Sequence, residues 1–92
     1  MLDVIDARYV SGYKVWLEFS NGESGVVDLE SDLWGPVFEP LRDLENFRKF
    51  RVSEAFRTLV WDNGADMAPE HLLARMSGKS PGLVPQASAG SA

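Results

Sequence analysis

Hydrophobic and polar positions alternate along the first third of the chain. In the stretch 14–19, Val15, Leu17 and Phe19 occupy every second position. A period of two is typical of a β-strand with one buried face. The stretch 4–10 has the β-branched and aromatic composition of a preceding strand, and 23–28 that of a following strand. We therefore predict an antiparallel β-meander at the start of the chain.

Two dipeptides separate these three predicted strands. Ser11-Gly12 marks the first turn, and Asn21-Gly22 favours the positive φ angles of a type I′ hairpin turn. Trp16 lies on the other face of the middle strand, together with Lys14 and Glu18. Trp16 either packs beneath a covering helix or loop, since Trp buries a large apolar area, or stays exposed as a binding residue.

The next part of the chain predicts shorter elements. The stretch 33–38 is apolar but irregular, and Pro36 and Pro40 restrict any helix there to one or two turns. Asp43 is a suitable N-cap for a helical turn that ends at Phe47. Alternation at 49–52, with Phe50 and Val52 facing inward, and an apolar run at 58–61 predict two further strands. A turn at 62–64 follows them.

The stretch 68–76 predicts the final helix. Pro69 suits the first helical turn, Glu70 complements the helix dipole, and Leu72, Leu73 and Met76 form an apolar face. Residues 77–92 are rich in Gly, Pro and Ser and predict a disordered tail. The predicted fold class is α+β: a small antiparallel β-meander with short helices, a C-terminal helix and a disordered tail. It forms one domain over residues 1–76, with no internal repeat.

The amino-acid composition and net charge disfavour several classes of function. The chain has 92 residues, no cysteine and a formal net charge of −5. The lack of cysteine excludes disulfides, cysteine metal sites and thiol nucleophiles, and it favours a reducing compartment, so we predict a cytoplasmic protein. Neither a signal peptide nor an apolar run near the roughly 20 residues of a membrane span is evident. The negative charge disfavours nucleic acid and anionic membranes as partners.

Candidate catalytic groups are few. His71 follows Glu70, but adjacent side chains on a helix do not face each other. Asp62, Asp66 and Glu70 are spaced four apart, and a turn that gathered them would make a weak cation site. Asp66 is equally suited to accept backbone hydrogen bonds near the helix start. No nucleophile, base and orienting group occur together. We predict no enzymatic activity, no cofactor and no metal site.

Four residues are candidates for partner binding. They are Trp16 on the outer strand face and the basic residues Lys49, Arg51 and Arg57. Lys49 and Arg51 alternate with inward-facing residues, so they share an outward face and, with Arg57 across the hairpin, could contact phosphates. The alternative interpretation is that these charges are solvated side chains without a specific partner.

Two stretches of the sequence carry a recognisable pattern. Residues 17–22 read Leu-Glu-Phe-Ser-Asn-Gly and are followed by Gly-Val-Val-Asp-Leu at 25–29. Residues 59–72 read Leu-Val-Trp-Asp-Asn-Gly-Ala-Asp-Met-Ala-Pro-Glu-His-Leu, and a Leu-x-Asp-x-x-x-Phe element at 41–47 lies between the two. The pattern resembles the DUF2442 family of short bacterial proteins over about residues 4–73. The motif positions, which also read as turn, strand and helix signals, are Asn21, Gly22, Asp28, Trp61, Asn63, Gly64, Asp66 and Pro69.

The resemblance implies a small α+β fold built on a β-meander, and it brings no catalytic residues. Some members are similar but continue into a helix-turn-helix DNA-binding domain, which the composition of 77–92 does not predict here. Others are encoded beside a second small protein, as toxin–antitoxin pairs are. We therefore predict a non-enzymatic protein-interaction domain, as an accessory or antitoxin-like member of a two-protein system. Its partner is another small protein or a second copy of itself.

Two alternative functions stay open at this point. One is a nucleic-acid-associated regulator that uses the basic strand face of Lys49 and Arg51 together with Arg57. The other is an enzyme or metal protein built around Asp62, Asp66, Glu70 and His71.

Overall fold

Residues 1–76 form six short strands and two helices. The computed structural model describes residues 1–76. The elements are β1 (Val4–Ser11), β2 (Lys14–Phe19), β3 (Ser24–Asp28), α1 (Leu44–Phe47), β4 (Arg51–Val52), β5 (Leu59–Val60), β6 (Asp66–Met67) and α2 (Pro69–Met76). Two 3-10 turns, Glu30–Asp32 and Glu39–Arg42, lie between β3 and α1. No helix within residues 1–76 is long and apolar enough to cross a membrane. The predicted tail, 77–92, lies outside the described residues.

The strands form two antiparallel three-stranded sheets, in the orders β1-β2-β3 and β4-β5-β6. The first sheet is the predicted meander, and the predicted α+β class is confirmed. The sequence analysis missed β6, whose two residues pair as Leu59↔Met67 and Val60↔Asp66. A strand this short carries no readable alternation, so only its pairing with β5 identifies it.

The core lies against the inner face of the first sheet. Val15, Leu17 and Phe19 are fully buried, as the alternation predicts. Residues from β3, α1, β5 and α2 complete the same cluster. Burying one such side chain contributes about 1.5–3 kcal/mol relative to leaving it in water.

The two Asn-Gly hairpin loops share one geometry. In the loop 19–23, Gly22 N–H donates to the carbonyl of Phe19 at 3.0 Å, and Phe19 N–H donates to the carbonyl of Glu23 at 2.8 Å. The loop 61–65 repeats these bonds at 3.1 and 2.9 Å. Only the glycine of each loop has a positive φ, 90° and 91°. The predicted type I′ turn is wrong: each is a three-residue loop, in which a type I turn precedes a glycine at positive φ.

The segment between the sheets contains only short helical turns. Asp43 caps α1 as predicted, because its Oδ1 accepts a hydrogen bond from Glu45 N–H at 3.0 Å. No helix begins at Pro36; instead, the turn Glu39–Arg42 carries Pro40 in its first turn. Phe50 and Val52 pack on the core as predicted.

Candidate interaction surface

Trp16 lies half-buried on the outer face of the first sheet. It pairs with Arg8 on one side and Val26 on the other. The Arg8 guanidinium carbon stands 5.9 Å from the centre of the indole ring. The contacts of Trp16 are therefore those of a cross-strand ladder in which a cation covers the ring.

The structure separates the three basic candidates into two groups. Arg51 bonds the carboxylate of Asp62, and Lys49 lines the same shallow cleft as Asp62. Arg57 lies in the loop after β4, at φ 57°, with its guanidinium 3.7 Å from Asp3. The two arginines are thus each partnered by an acid, and the predicted common surface of Lys49, Arg51 and Arg57 is interrupted by carboxylates.

The candidate carboxylates do not converge. Within residues 1–76, no group of three His, Asp or Glu side chains is placed to hold a metal ion. His71 contacts a different acid, since its Nε2 lies 3.2 Å from Asp32 Oδ1. Arg75, one turn further along α2, makes a bidentate pair with the same carboxylate at 2.9 and 2.8 Å.

This ion pair fastens α2 to the turn after β3. The Asp32 side chain is only 10% exposed, whereas Arg75 is 44% exposed. Hydrogen bonding to the Asp32 carboxylate, and then its negative charge, raise the pKa of Arg75 above its ordinary value. Arg75 therefore stays charged, and Asp32 has its charge compensated inside the structure.

An exposed aromatic surface lies close to this ion pair. Trp34 is 71% exposed, and Val37, in the same segment, is 47% exposed. A pocket of about 380 Å³ separates Trp34 from α2 and β6. We call this region the Trp34 surface; the residues that line it are Asp32, Trp34, Phe38, Asp66, Met67, Ala68 and His71.

The backbone that carries Trp34 is held at several points. Leu33 is buried, and its carbonyl accepts a hydrogen bond from Arg42 Nη1 at 3.1 Å. Gly35 adopts φ 91°, and its carbonyl accepts hydrogen bonds from the backbone N–H groups of residues 38 and 39. Asn63 Nδ2 donates to the carbonyl of Val37 at 2.9 Å. The indole is therefore presented by fixed backbone, which lowers the entropy cost of any association.

Several predicted motif residues support this surface. Asn63 uses its Oδ1 to accept from Ala65 N–H at 3.1 Å, and thus shapes its own loop, while its amide nitrogen holds Val37. Asp66 lines the pocket. Asp28 accepts from Glu30 N–H at 3.0 Å and lines a second depression beside Trp34. Asn21 and Gly22 lie at the opposite end of the β2–β3 hairpin and do not contribute to the Trp34 surface.

The sequence analysis did not select Trp34 as a binding residue. A signal was available, because Trp34 lies in an aperiodic stretch beside Gly35-Pro36, where no strand or helix face requires it. An aromatic residue outside the buried periodicity, next to turn-forming residues, is a candidate for exposure.

A comparison of two asparagines tests the support of the Trp34 surface. Asn21→Ala and Asn63→Ala both remove the turn bond, but only Asn63→Ala releases Val37. We expect Asn63→Ala to lower the free energy of unfolding by about 0.5–1.5 kcal/mol more than Asn21→Ala. Urea unfolding followed by circular dichroism measures this difference. Amide exchange at Phe38 and Glu39 should accelerate only in Asn63→Ala. Equal losses of stability and equal exchange rates in the two variants would contradict a role of Asn63 in holding Val37.

The fold and this surface define a small α+β domain of two β-meanders that presents an aromatic side chain on a fixed segment. The chain belongs to the DUF2442 family, described as proteins of unknown function, whose family model matches residues 4–77. The family resemblance expected from the motifs is confirmed.

A comparison with solved structures supports the same fold. The chain is similar to the crystal structure of a "Putative DNA Binding Protein" from Nitrosomonas europaea ATCC 19718, with a TM-score of 0.72 and 20% identity. The match covers 85% of this chain and 50% of that protein, so the chain spans half of that protein's length. At this identity, the likeness concerns the fold. No curated protein matches the chain.

Proposed function

We propose that the chain is a non-enzymatic protein-interaction domain that binds its partner through the Trp34 surface. The observation that carries this proposal is the 71% exposure of Trp34 in a segment whose carbonyls at Leu33 and Val37 accept hydrogen bonds from Arg42 and Asn63. Trp is among the residues most enriched at interface hot spots, because it supplies a large apolar area with few rotatable bonds. Without a partner, the indole exposes apolar surface to water, which is unfavourable relative to burial in an interface.

The proposal extends to the biological setting predicted from the motifs. We propose an accessory or antitoxin-like protein of a bacterial two-protein system, located in the cytoplasm because the chain carries no cysteine. Its partner is a second small protein; self-association is the other outcome. The non-enzymatic role is supported by the structural use of one candidate, His71, which contacts Asp32 in the ion-pair cluster that fastens α2.

The alternative is a nucleic-acid-associated regulator, and the description of the Nitrosomonas protein favours considering it. For this chain, the charge of −5 opposes binding to phosphates. Arg51 and Arg57 would also have to exchange their carboxylate partners for phosphates. The chain matches only half of the Nitrosomonas protein, at 20% identity.

A capture experiment separates these functions. Tagged wild-type chain is purified from its own cells with and without nuclease, beside Trp34→Ala and Phe56→Ala. Phe56 is the matched control, because it is also an aromatic residue with 71% exposure, but it lies in the β4–β5 loop. We expect wild type to capture a protein in stoichiometric amount, with or without nuclease. Phe56→Ala should capture the same amount, whereas Trp34→Ala should capture at least tenfold less, as for a hot-spot residue.

Two results would contradict the proposal. If Trp34→Ala and wild type capture equal amounts of partner, Trp34 is not part of the interface. Capture that disappears with nuclease, and with the charge reversal Lys49→Glu/Arg51→Glu, would establish the nucleic-acid function instead.

A further inference from the structure

We infer that the partner contacts the Trp34 surface with a basic segment that also carries an apolar anchor. This inference rests on the proposed function and adds the chemistry of the partner. It is carried by the charges that surround Trp34 and by the two depressions on either side of the indole.

The rim of the surface carries an excess of negative charge. Asp28, Glu30 and Asp66 are exposed and lie beside Trp34 or the pocket. None of the three has an ion-pair partner within residues 1–76. Among the described residues, Arg42 is the one Arg or Lys side chain that lines either depression; it donates to the neutral carbonyl of Leu33 and keeps its positive charge, which offsets one of the three carboxylates. A positive segment therefore complements the rim, whereas phosphates are repelled.

The two depressions differ in character. On the side of α2, the apolar residues Trp34, Phe38, Met67 and Ala68, together with Asp32, Asp66 and His71, line an open pocket of about 380 Å³, which has room for an aliphatic side chain. The other depression is lined by Asp28, Glu30, Ser31, Trp34 and Arg42. There, the aliphatic stem of an Arg or Lys can lie on the indole face while its head group reaches a carboxylate. Trp34 thus stands between an apolar subsite and an anionic one.

Defined peptides of matched length test this inference. The probes are fluorescein-labelled 12-residue peptides with two leucines and a net charge of +4, 0 or −4, the charges being Arg or Glu. Fluorescence anisotropy with the full chain gives dissociation constants at low and physiological salt. We expect the +4 peptide to bind at least tenfold more tightly than the −4 peptide and to weaken as salt rises.

Two charge-neutralised variants locate the contact. Asp28→Asn/Glu30→Gln removes two carboxylates beside Trp34, and the amide introduced at position 28 retains an oxygen that accepts the bond from the backbone N–H of residue 30. Glu18→Gln/Glu54→Gln makes the same change in net charge on β2 and in the β4–β5 loop. We expect the first pair to weaken binding of the +4 peptide at least fivefold, Trp34→Ala at least tenfold, and the second pair less than twofold.

The outcomes distinguish this inference from the proposed function. Equal effects of the two charge-neutralised pairs overturn the inference, as does the absence of +4 peptide binding or tighter binding of the −4 peptide. A single-stranded oligonucleotide that competes for Trp34 also overturns it. If a Trp34-dependent protein is captured but contacts the surface with a neutral or acidic segment, the proposed function survives and only the basic-partner inference fails.

Discussion

Replacing Phe47 by alanine is expected to lower the free energy of unfolding by about 3–5 kcal/mol, the usual cost of removing a fully buried phenyl ring. Phe47 has no exposed surface. Its ring centre lies 5.3 Å from Tyr13, 5.9 Å from Trp61 and 6.2 Å from Phe50. These three residues flank strands of both sheets, so a cavity at Phe47 has no single element that can move in to fill it.

The consequence is large because small domains have little stability to lose. Net stability is about 5–15 kcal/mol for typical domains, and a chain of this size lies towards the lower end. Urea unfolding followed by circular dichroism measures the change. Phe47→Leu keeps most of the volume and should cost less, and Phe56→Ala, at an exposed ring, should change the stability by less than about 0.5 kcal/mol. Similar midpoints for Phe47→Ala and Phe56→Ala would show that Phe47 does not hold the sheets together.

Replacing Asp32 by alanine is expected to cost about 1.5–3 kcal/mol, the range for hydrogen bonds to charged groups. The bidentate pair with Arg75 and the contact with His71 are both lost. The loss is smaller than for a fully buried pair, because Arg75 is 44% exposed and water can solvate the freed guanidinium. The unfolding transition of the variant, measured against wild type, gives the change.

A double-mutant cycle isolates the Asp32–Arg75 contribution. Asp32→Ala, Arg75→Ala and the double variant should show a coupling of about 1 kcal/mol or more. In Asp32→Ala, amide exchange in the last turn of α2 should also accelerate, since that turn loses its attachment to the segment after β3. Additive effects of the two single changes would mean that the ion pair does not stabilise α2.

The Asn-Gly loops show how one local motif serves two purposes. Both loops have the same backbone bonds, the same glycine φ and the same Asn side-chain bond. In one loop, the Asn21 amide turns back to the Glu23 carboxylate at 3.0 Å. In the other, the Asn63 amide reaches Val37, 26 residues earlier in the chain. The sequence analysis found no repeat, because the similarity is limited to five-residue loops at equivalent places in two meanders.

The local chemistry of the sequence determined most of the fold. Alternation at Val15, Leu17 and Phe19 correctly predicted a strand with one buried face, since this period depends only on the pleat of the backbone. Asp43 as a cap and Pro69 at the start of α2 were also correct, because caps and first turns are formed by neighbours in the chain. The family was identified from the same turn and strand signals.

Contacts between distant residues were decided only by the tertiary structure. The two-residue strand β6 exists because β5 pairs with it. Arg51 pairs with Asp62 and Arg57 with Asp3, and neither partner follows from the alternation of the strand that carries the predicted basic face. The segment that carries the exposed Trp34 is held by buried Leu33, by the bond from Arg42 to the carbonyl of Leu33 and by the bond from Asn63 to the carbonyl of Val37. The periodicity of a segment indicates which side of the strand or helix is buried. The free energy of an irregular segment depends instead on contacts with residues that are distant in the chain, and its own sequence does not predict these contacts.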